Sequence, residues 1–139
     1  DVPELSRPLG AELLEPSRIY ALDCLALAAG CDVHAYAHIT GGGLAANLAR
    51  VLPAEVDAVL DRGTWAPAAI FRVLAAAGNV PPGEMERVFN MGVGMTAVVG
   101  PDSAGRALDL LAARGVPAWV LGEVVPGSGE ARLNGSHPA

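Results

Sequence analysis

The sequence predicts a domain of the α/β (α+β) class, in which helices cover a mixed sheet. Apolar residues recur at helical spacing in some segments and at every second position in others, and the two kinds of segment alternate along the chain. Hydrophobic residues make up 52% of the 139 residues and charged residues only 17%, which is enough for a packed core. The predicted order is helix, strand, helix, strand, helix, helix, strand, helix, strand.

The chain divides into three parts by composition. Residues 1–8 contain two prolines and predict a linker, so the chain is expected to be part of something longer. Residues 9–126 carry the periodic segments and predict the folded domain. Residues 127–139 are rich in Gly, Ser and Pro and predict a flexible tail.

The first long helix is expected to begin at Arg18, with Ser17 as its N-cap and Gly30 as its stop. From Val33 to Thr40 the apolar residues then alternate with polar ones, which predicts a strand with one buried face. The strand ends at a glycine-rich stretch, and a short helix is predicted to follow it from Leu44 to Leu52.

The remaining elements are predicted from the same periodicities and from their boundary residues. Prolines at the first turn and capping residues mark the helix starts, and glycines mark the ends. The predicted elements are a strand 56–60, a helix from Pro67 to Ala77, a short helix 82–89, a strand 96–99, a helix capped by Asp102 or Ser103, and a strand 116–125.

The stretch around which the chain is organised joins the first strand to the short helix. Its three consecutive glycines, Gly41 to Gly43, tolerate a positive φ and expose backbone N–H groups that no Cβ covers. Such amides at a strand-to-helix turn form a site for an anion, most often a phosphate. Thr40 would add a hydroxyl donor, and Asn47 is either a phosphate contact or a helix-start residue.

Two histidines near this turn suggest a metal site that the strand geometry argues against. His34 and His38 are four residues apart. On a strand this spacing corresponds to ~13 Å, too far for one ion. No metal site is therefore predicted, and His38 remains either an exposed strand residue or a ligand contact beside the glycine turn.

Composition excludes several classes of partner. The formal net charge is -6, and the nine basic residues, all arginine, are scattered singly, so neither nucleic acid nor an anionic membrane is an expected partner. The longest stretch without a charged residue contains histidines, glycines and Asn47 and is no membrane span. Cys24 and Cys31 are expected to be free thiols in a cytoplasmic protein.

Several motifs follow one another over about residues 9–125, among them Pro16 to Tyr20, His38 to Leu44, Asn47 to Pro53, and Phe89 to Met95. In this order they resemble the phosphoribosylformylglycinamidine cyclo-ligases, also called aminoimidazole ribonucleotide synthetases, and the spacing continues through Trp65, Pro67 and Gly122 to Val124. Ser17 stands where that family usually has threonine, and Ala49 where it often has proline. The resemblance covers the C-terminal domain of the family only.

The resemblance implies a role in de novo purine biosynthesis. It implies that the full-length enzyme uses ATP and Mg to close the imidazole ring of formylglycinamidine ribonucleotide, as a homodimer whose N-terminal domain carries the metal-binding acids and most of the ATP site. This chain alone would then be inactive, and its catalytic residues remain unknown. A non-catalytic anion-binding or interaction domain, and related ATP-using enzymes such as thiamine monophosphate kinase or selenophosphate synthetase, are the alternatives.

Within that resemblance the glycine turn matches the part expected to hold the ribose phosphate of the substrate. Asn90, Gly92 and Gly94 match a second loop at the same cleft. Gly92 and Gly94 have an alternative role, because glycines also permit close backbone packing before a strand. Asp61 is interpreted as a strand-end turn residue, and Trp65 and Trp119 as packing residues.

Overall fold

The computed structural model describes residues 2–138, and the elements below refer to this part of the chain. The helices are α1 (Leu9–Leu13), α2 (Ala21–Gly30), α3 (Gly43–Ala49), α4 (Ala69–Gly78), α5 (Pro82–Val88) and α6 (Ala104–Ala113). The strands are β1 (Val33–His38), β2 (Val56–Asp61), β3 (Met95–Val99), β4 (Gly122–Pro126) and β5 (Ala131–Asn134). Short 3₁₀ turns cover Arg62–Thr64 and Pro101–Ser103.

The strands form two sheets where the sequence predicted one mixed sheet. β1 and β3 pair antiparallel, while β2 lies between β4, which is antiparallel to it, and β5, which is parallel. Helices and mixed strand pairing confirm the α+β class, but the single sheet is wrong. Short strands of similar composition do not specify their partners, because pairing depends on contacts that are distant in sequence.

The core lies where α3 meets the two sheets. Its buried members come from β1, α3, β2, the residues just after the two strands and the loop before β3: Ala37, Ile39, Leu44, Leu48, Ala58, Leu60, Trp65 and Val93. The alternation predicted for the first strand is confirmed at its end, where Ala37 and Ile39 are buried and His38 and Thr40 are exposed. Ile39 before the turn and Leu44 after it are both buried in this core, which fixes the position of the glycine turn between β1 and α3.

The helix predicted from Arg18 begins three residues later, at Ala21, and Ser17 caps nothing. Tyr20 explains the difference. Its ring packs edge-on against His38, with ring centroids 5.8 Å apart, and its hydroxyl lies over Gly94, where a Cβ would collide with it. These tertiary contacts hold the chain before Ala21 outside the helix, whatever its local capping preference.

The starts of α4 and α6 compare differently with the prediction. α4 begins at Ala69, two residues after Pro67, which was expected to open it. α6 follows Ser103, a predicted cap position, but the Ser103 side chain makes no capping hydrogen bond. Its hydroxyl instead accepts a hydrogen bond from the Asp32 amide at 3.0 Å, a partner distant in sequence.

The predicted flexible tail is wrong for residues 131–134, which form β5 along β2. The turn before β5 is held by the buried Asp57 carboxylate, which accepts from the Ser128 amide at 2.7 Å and the Glu130 amide at 2.9 Å. Hydrogen bonds from these amides, first that of Ser128, lower the pKa of Asp57 from its ordinary value. The last predicted strand is also shorter, because β4 begins at Gly122 and not at Val116.

Cys24 and Cys31 are free and half-buried. None of the helices within residues 2–138 has the length and hydropathy that a membrane crossing requires.

Candidate functional site

The glycine turn is a tight reversal of the backbone between β1 and α3. The Gly43 amide donates to the Thr40 carbonyl at 3.1 Å and closes the turn. Gly42 has φ 101° and Gly43 has φ 72°, in the left-handed region that side-chain-bearing residues rarely adopt. The turn therefore requires glycine at both positions, as its sequence predicts.

The three glycines have different surroundings. Gly43 is buried against α5, and a Cβ there would collide with the backbone carbonyl of Glu86. Gly41 is exposed, with no atom within 4 Å of where its Cβ would lie. Within residues 2–138 the amides of Gly41 and Gly42 have no hydrogen-bond acceptor, whereas the Gly43 amide is engaged in the turn. Two amides are thus free for an anion, not three.

Asn47 supports the turn through hydrogen bonds of its side chain. Its side chain is buried, and its Nδ2 donates to the carbonyls of Thr40, Gly41 and Gly43 at 3.2, 3.3 and 2.7 Å. Its Oδ1 accepts from the Thr40 hydroxyl at 3.4 Å. Since both ends of the amide have partners in the turn, Asn47 acts in this structure by positioning the turn.

Arg50 is a residue of this site that the sequence reasoning missed. Its Nη1 donates to the Oδ1 of Asn47 at 3.2 Å, and its Nη2 lies 3.7 Å from where a Gly42 Cβ would be. No carboxylate within the described range lies at ion-pair distance from Arg50. A guanidinium beside two free amides adds a positive charge where an anion would bind. Its position three residues after Asn47 in a helix was the available signal.

The second predicted loop meets the glycine turn at the same end of the β1–β3 pair. His38 pairs with Met95, and the Ile39 amide donates to the Gly94 carbonyl at 2.9 Å. The structure thus brings the loop of Asn90, Gly92 and Gly94 next to the turn.

The contacts of this loop give its polar residue and glycines structural roles. The Oδ1 of Asn90 accepts from the Gly92 amide at 3.0 Å, and Gly92 has φ 97°. Gly94 is the glycine over which the Tyr20 hydroxyl lies. The interpretation as a glycine that permits close packing is confirmed for Gly94, whereas Gly92 has open space around it and is required by its positive φ. His38 is exposed at the strand end, beside the ring of Tyr20.

A cavity of about 270 Å³ opens beside the glycine turn. Its walls are mainly apolar and come from the glycine turn, α3, the loop after β2, α5 and the loop after it, β5 and the chain after β5, including Gly42, Leu44, Trp65, Met91, Leu133 and His137. Trp65 is buried, as predicted for a packing residue, and its Nε1 donates to the Met91 carbonyl at 3.0 Å. The indole therefore ties the cavity wall to the second loop.

One ion pair crosses from the loop after β2 to α5 at the cavity edge. The Nε and Nη2 of Arg62 donate to the Glu86 carboxylate at 2.6 and 2.7 Å. The hydrogen bonds from Arg62 lower the pKa of Glu86 from its ordinary value, and burial opposes them. Arg62 also donates to the carbonyl of Leu133 at 2.5 Å. Sequence reasoning missed this pair, because 24 residues separate its members.

The remaining candidates have simple roles. The Asp61 carboxylate accepts from the Gly63 amide at 2.8 Å, which confirms its interpretation as a turn residue. His34 is exposed, with Nε2 3.3 Å from Asp32. In the part of the chain from 2 to 138, no group of three His, Cys, Asp or Glu side chains could hold a metal ion.

The sequence of this chain is similar to those of known proteins. Residues 1–133 match the model of the family described as AIR synthase related protein, C-terminal domain. A protein of Streptomyces fradiae named "Putative phosphoribosylformylglycinamidine cyclo-ligase" is 57% identical over 124 residues, which are 89% of this chain and 68% of the relative.

Two longer relatives carry the name phosphoribosylformylglycinamidine cyclo-ligase. The protein from an Anaeromyxobacter species is 50% identical over 125 residues, and the one from Sorangium cellulosum is 49% identical over 126 residues. The matched parts are 90% and 89% of this chain, respectively. The chain spans only 36% of the length of each of these two relatives.

Proposed function

Because the chain belongs to the AIR synthase related protein family through its C-terminal domain, we propose that it is the substrate-phosphate-binding part of an ATP-dependent cyclo-ligase. The reaction would close the imidazole ring of formylglycinamidine ribonucleotide in purine biosynthesis. The names of the relatives support this reaction over a thiamine monophosphate kinase or a selenophosphate synthetase.

The observation that carries the proposal is the pair of free amides at Gly41 and Gly42. The Thr40 hydroxyl and the Arg50 guanidinium lie beside them, and both donate to the Oδ1 of Asn47. A phosphate dianion accepts several hydrogen bonds at once and gains most from a charged donor. In the proposal these four groups hold the ribose phosphate of the substrate, and Asn47 keeps their geometry fixed without touching the ligand.

The second loop and the cavity would complete the binding surface. His38 and Asn90 lie beside the turn and are proposed as contacts of the ribose, while Gly92 and Gly94 shape the loop. The adjacent apolar cavity would shield the substrate from water, which strengthens each polar contact within it. Holding the substrate still contributes to the rate, because a fixed orientation lowers the entropic part of the barrier.

ATP and Mg belong, in this proposal, to the rest of the longer protein. Residues 2–138 contain no group of three His, Cys, Asp or Glu side chains that could hold a metal ion. When bound, ATP would activate the formyl amide oxygen as a phosphoryl leaving group. We propose that the full-length protein is a cytoplasmic homodimer, in which a second domain supplies these parts.

The alternative is a non-catalytic anion-binding or interaction domain on the same scaffold. Activity of the longer protein distinguishes the two. The full-length protein is expected to release ADP in a coupled assay only when formylglycinamidine ribonucleotide is present. The 139-residue chain alone is expected to release none under the same conditions.

A variant links that activity to the turn. Gly42→Val in the full-length protein should raise KM for the ribonucleotide at least about tenfold, because a β-branched side chain is disfavoured at positive φ and crowds the free amides. Gly105→Val is the matched control, since Gly105 has open space around it in α6. An unchanged KM in Gly42→Val, or ADP release by the chain alone, would refute this division of roles.

A further inference from the structure

His137 lies after the last strand and is packed into the cavity wall. Its side chain is four-fifths buried, and its ring meets Trp65 edge-to-face with centroids 4.5 Å apart. The Nδ1 lies 3.3 Å from the backbone carbonyl of Trp65. The segment that leads to it is held by Arg62, which contacts the carbonyls of Leu133 and Gly135. The chain after β5 is thus folded over the edge of the cavity.

The contacts of the ring fix where its proton lies. A carbonyl oxygen only accepts, so Nδ1 must carry the hydrogen to bond the Trp65 carbonyl. In a neutral imidazole, Nε2 is then a bare acceptor. Yet Nε2 is buried without a hydrogen-bond partner, and a carboxylate oxygen, the Oε1 of Glu86, lies 3.7 Å away. Two acceptors face each other, and a proton on Nε2 would turn their repulsion into an ion pair.

The charges around the ring favour that proton only through Glu86. Its two oxygens accept from Arg62, so the carboxylate stays ionised over the range in which imidazoles titrate. The positive charge of Arg62, whose Nε donates to the Glu86 Oε1 at 2.6 Å, opposes protonation of the ring. Arg87, also on α5, lines the cavity and pairs with the carboxylate of Glu84. The ring thus faces one carboxylate, and the two nearby arginines are each paired.

We propose that His137 is a proton-operated latch that fastens the C-terminal segment across the cavity beside the glycine turn. Proton uptake on Nε2 closes the latch through Glu86. Proton loss leaves two facing acceptors and loosens residues 135–138, which opens the cavity at the wall that contains His137. The latch does not depend on which ligand the turn binds.

The first test measures the protonation state and the tautomer of the His137 ring. Long-range ¹H–¹⁵N correlation spectra of the 139-residue chain distinguish protonated imidazole from its two neutral tautomers. At about pH 8, where imidazoles are mostly neutral, His137 should show the Nδ1–H tautomer, with the exposed His34 as the internal reference. An Nε2–H tautomer at His137 would overturn the proposal.

The second test measures how ordered the segment of residues 135–138 is. Heteronuclear NOE values of the Ser136 and His137 amides should be as high as those of β5 at about pH 6 and fall at about pH 8. In Glu86→Gln the carboxylate charge is absent, so proton uptake on Nε2 no longer forms an ion pair and the order of the segment should not depend on pH. His137→Gln should lose the pH dependence, and His34→Gln should retain it. Equal order of the parent at both pH values would refute the latch.

Discussion

Replacing Asn47 tests how the glycine turn is held. Its Nδ2 reaches three carbonyls, of which the bond to Gly43, at 2.7 Å, is short and fully buried. A net loss of about 1 kcal/mol per good bond, plus about 1 kcal/mol for leaving a buried carbonyl unpaired, predicts that Asn47→Ala lowers the free energy of unfolding by roughly 2–3 kcal/mol. Asn47→Asp should cost about 1 kcal/mol more, since a carboxylate oxygen would then face those carbonyls.

Urea unfolding, followed by the fluorescence of the buried Trp65, measures the free energy of unfolding for each variant. Ala112→Asn is the matched control, because it places the same side chain at an exposed position of α6 and should cost only about 0.6 kcal/mol of helix propensity. Amide chemical shifts of residues 40–43 should move in Asn47→Ala and stay in place in the control. If Asn47→Asp were as stable as the parent, the three carbonyl contacts would not support the turn.

The remaining predictions concern Asp57 and the cysteines. The pKa of Asp57 is lowered in the folded state by the Ser128 and Glu130 amides, so its carboxylate stabilises the fold above the unfolded pKa, about 4, and this contribution is lost as pH falls through the folded pKa. The stability of Asp57→Asn should therefore vary less than that of the parent between about pH 2 and pH 5, in urea unfolding series. Thiol titration of the denatured, unreduced protein should find both Cys24 and Cys31 reactive; a blocked pair would contradict free thiols.

Local patterns predicted those features that neighbouring residues determine. Period-two alternation located β1, and the glycine run predicted a turn that needs positive φ. The start of α5 at Pro82 also follows from its own first turn. In each case the residues that form the structure are adjacent in sequence, so their preferences could be read directly.

Features that depend on distant contacts could not be predicted. Ser17 is a residue type that caps helices, but α2 begins only at Ala21, because Tyr20 packs on His38 and Gly94. β5 lies in a segment rich in Gly and Ser, and what orders its turn is a carboxylate more than 70 residues earlier, at Asp57. The sequence likewise contains nothing that joins Arg62 to Glu86.

At the candidate site, the sequence predicted the turn and its neighbouring loop but assigned Asn47 too simply. Its polarity and its place after the glycines suggested a choice between ligand contact and helix start. The structure shows a third role, a buried amide that binds the carbonyls of the turn. Such a role depends on where the backbone carbonyls point, which residue type alone does not determine.

The central claim is that the free amides of Gly41 and Gly42, with Thr40 and Arg50, bind a phosphate dianion. Titration of ¹⁵N-labelled chain with phosphate or ribose 5-phosphate tests it residue by residue. The largest amide shifts should fall at residues 40–43, with a Kd of about 1 mM, equivalent to about 4 kcal/mol. Gly42→Val should abolish these shifts, while Gly105→Val should keep them. Largest shifts elsewhere, with Gly42→Val binding as tightly as the parent, would contradict the claim.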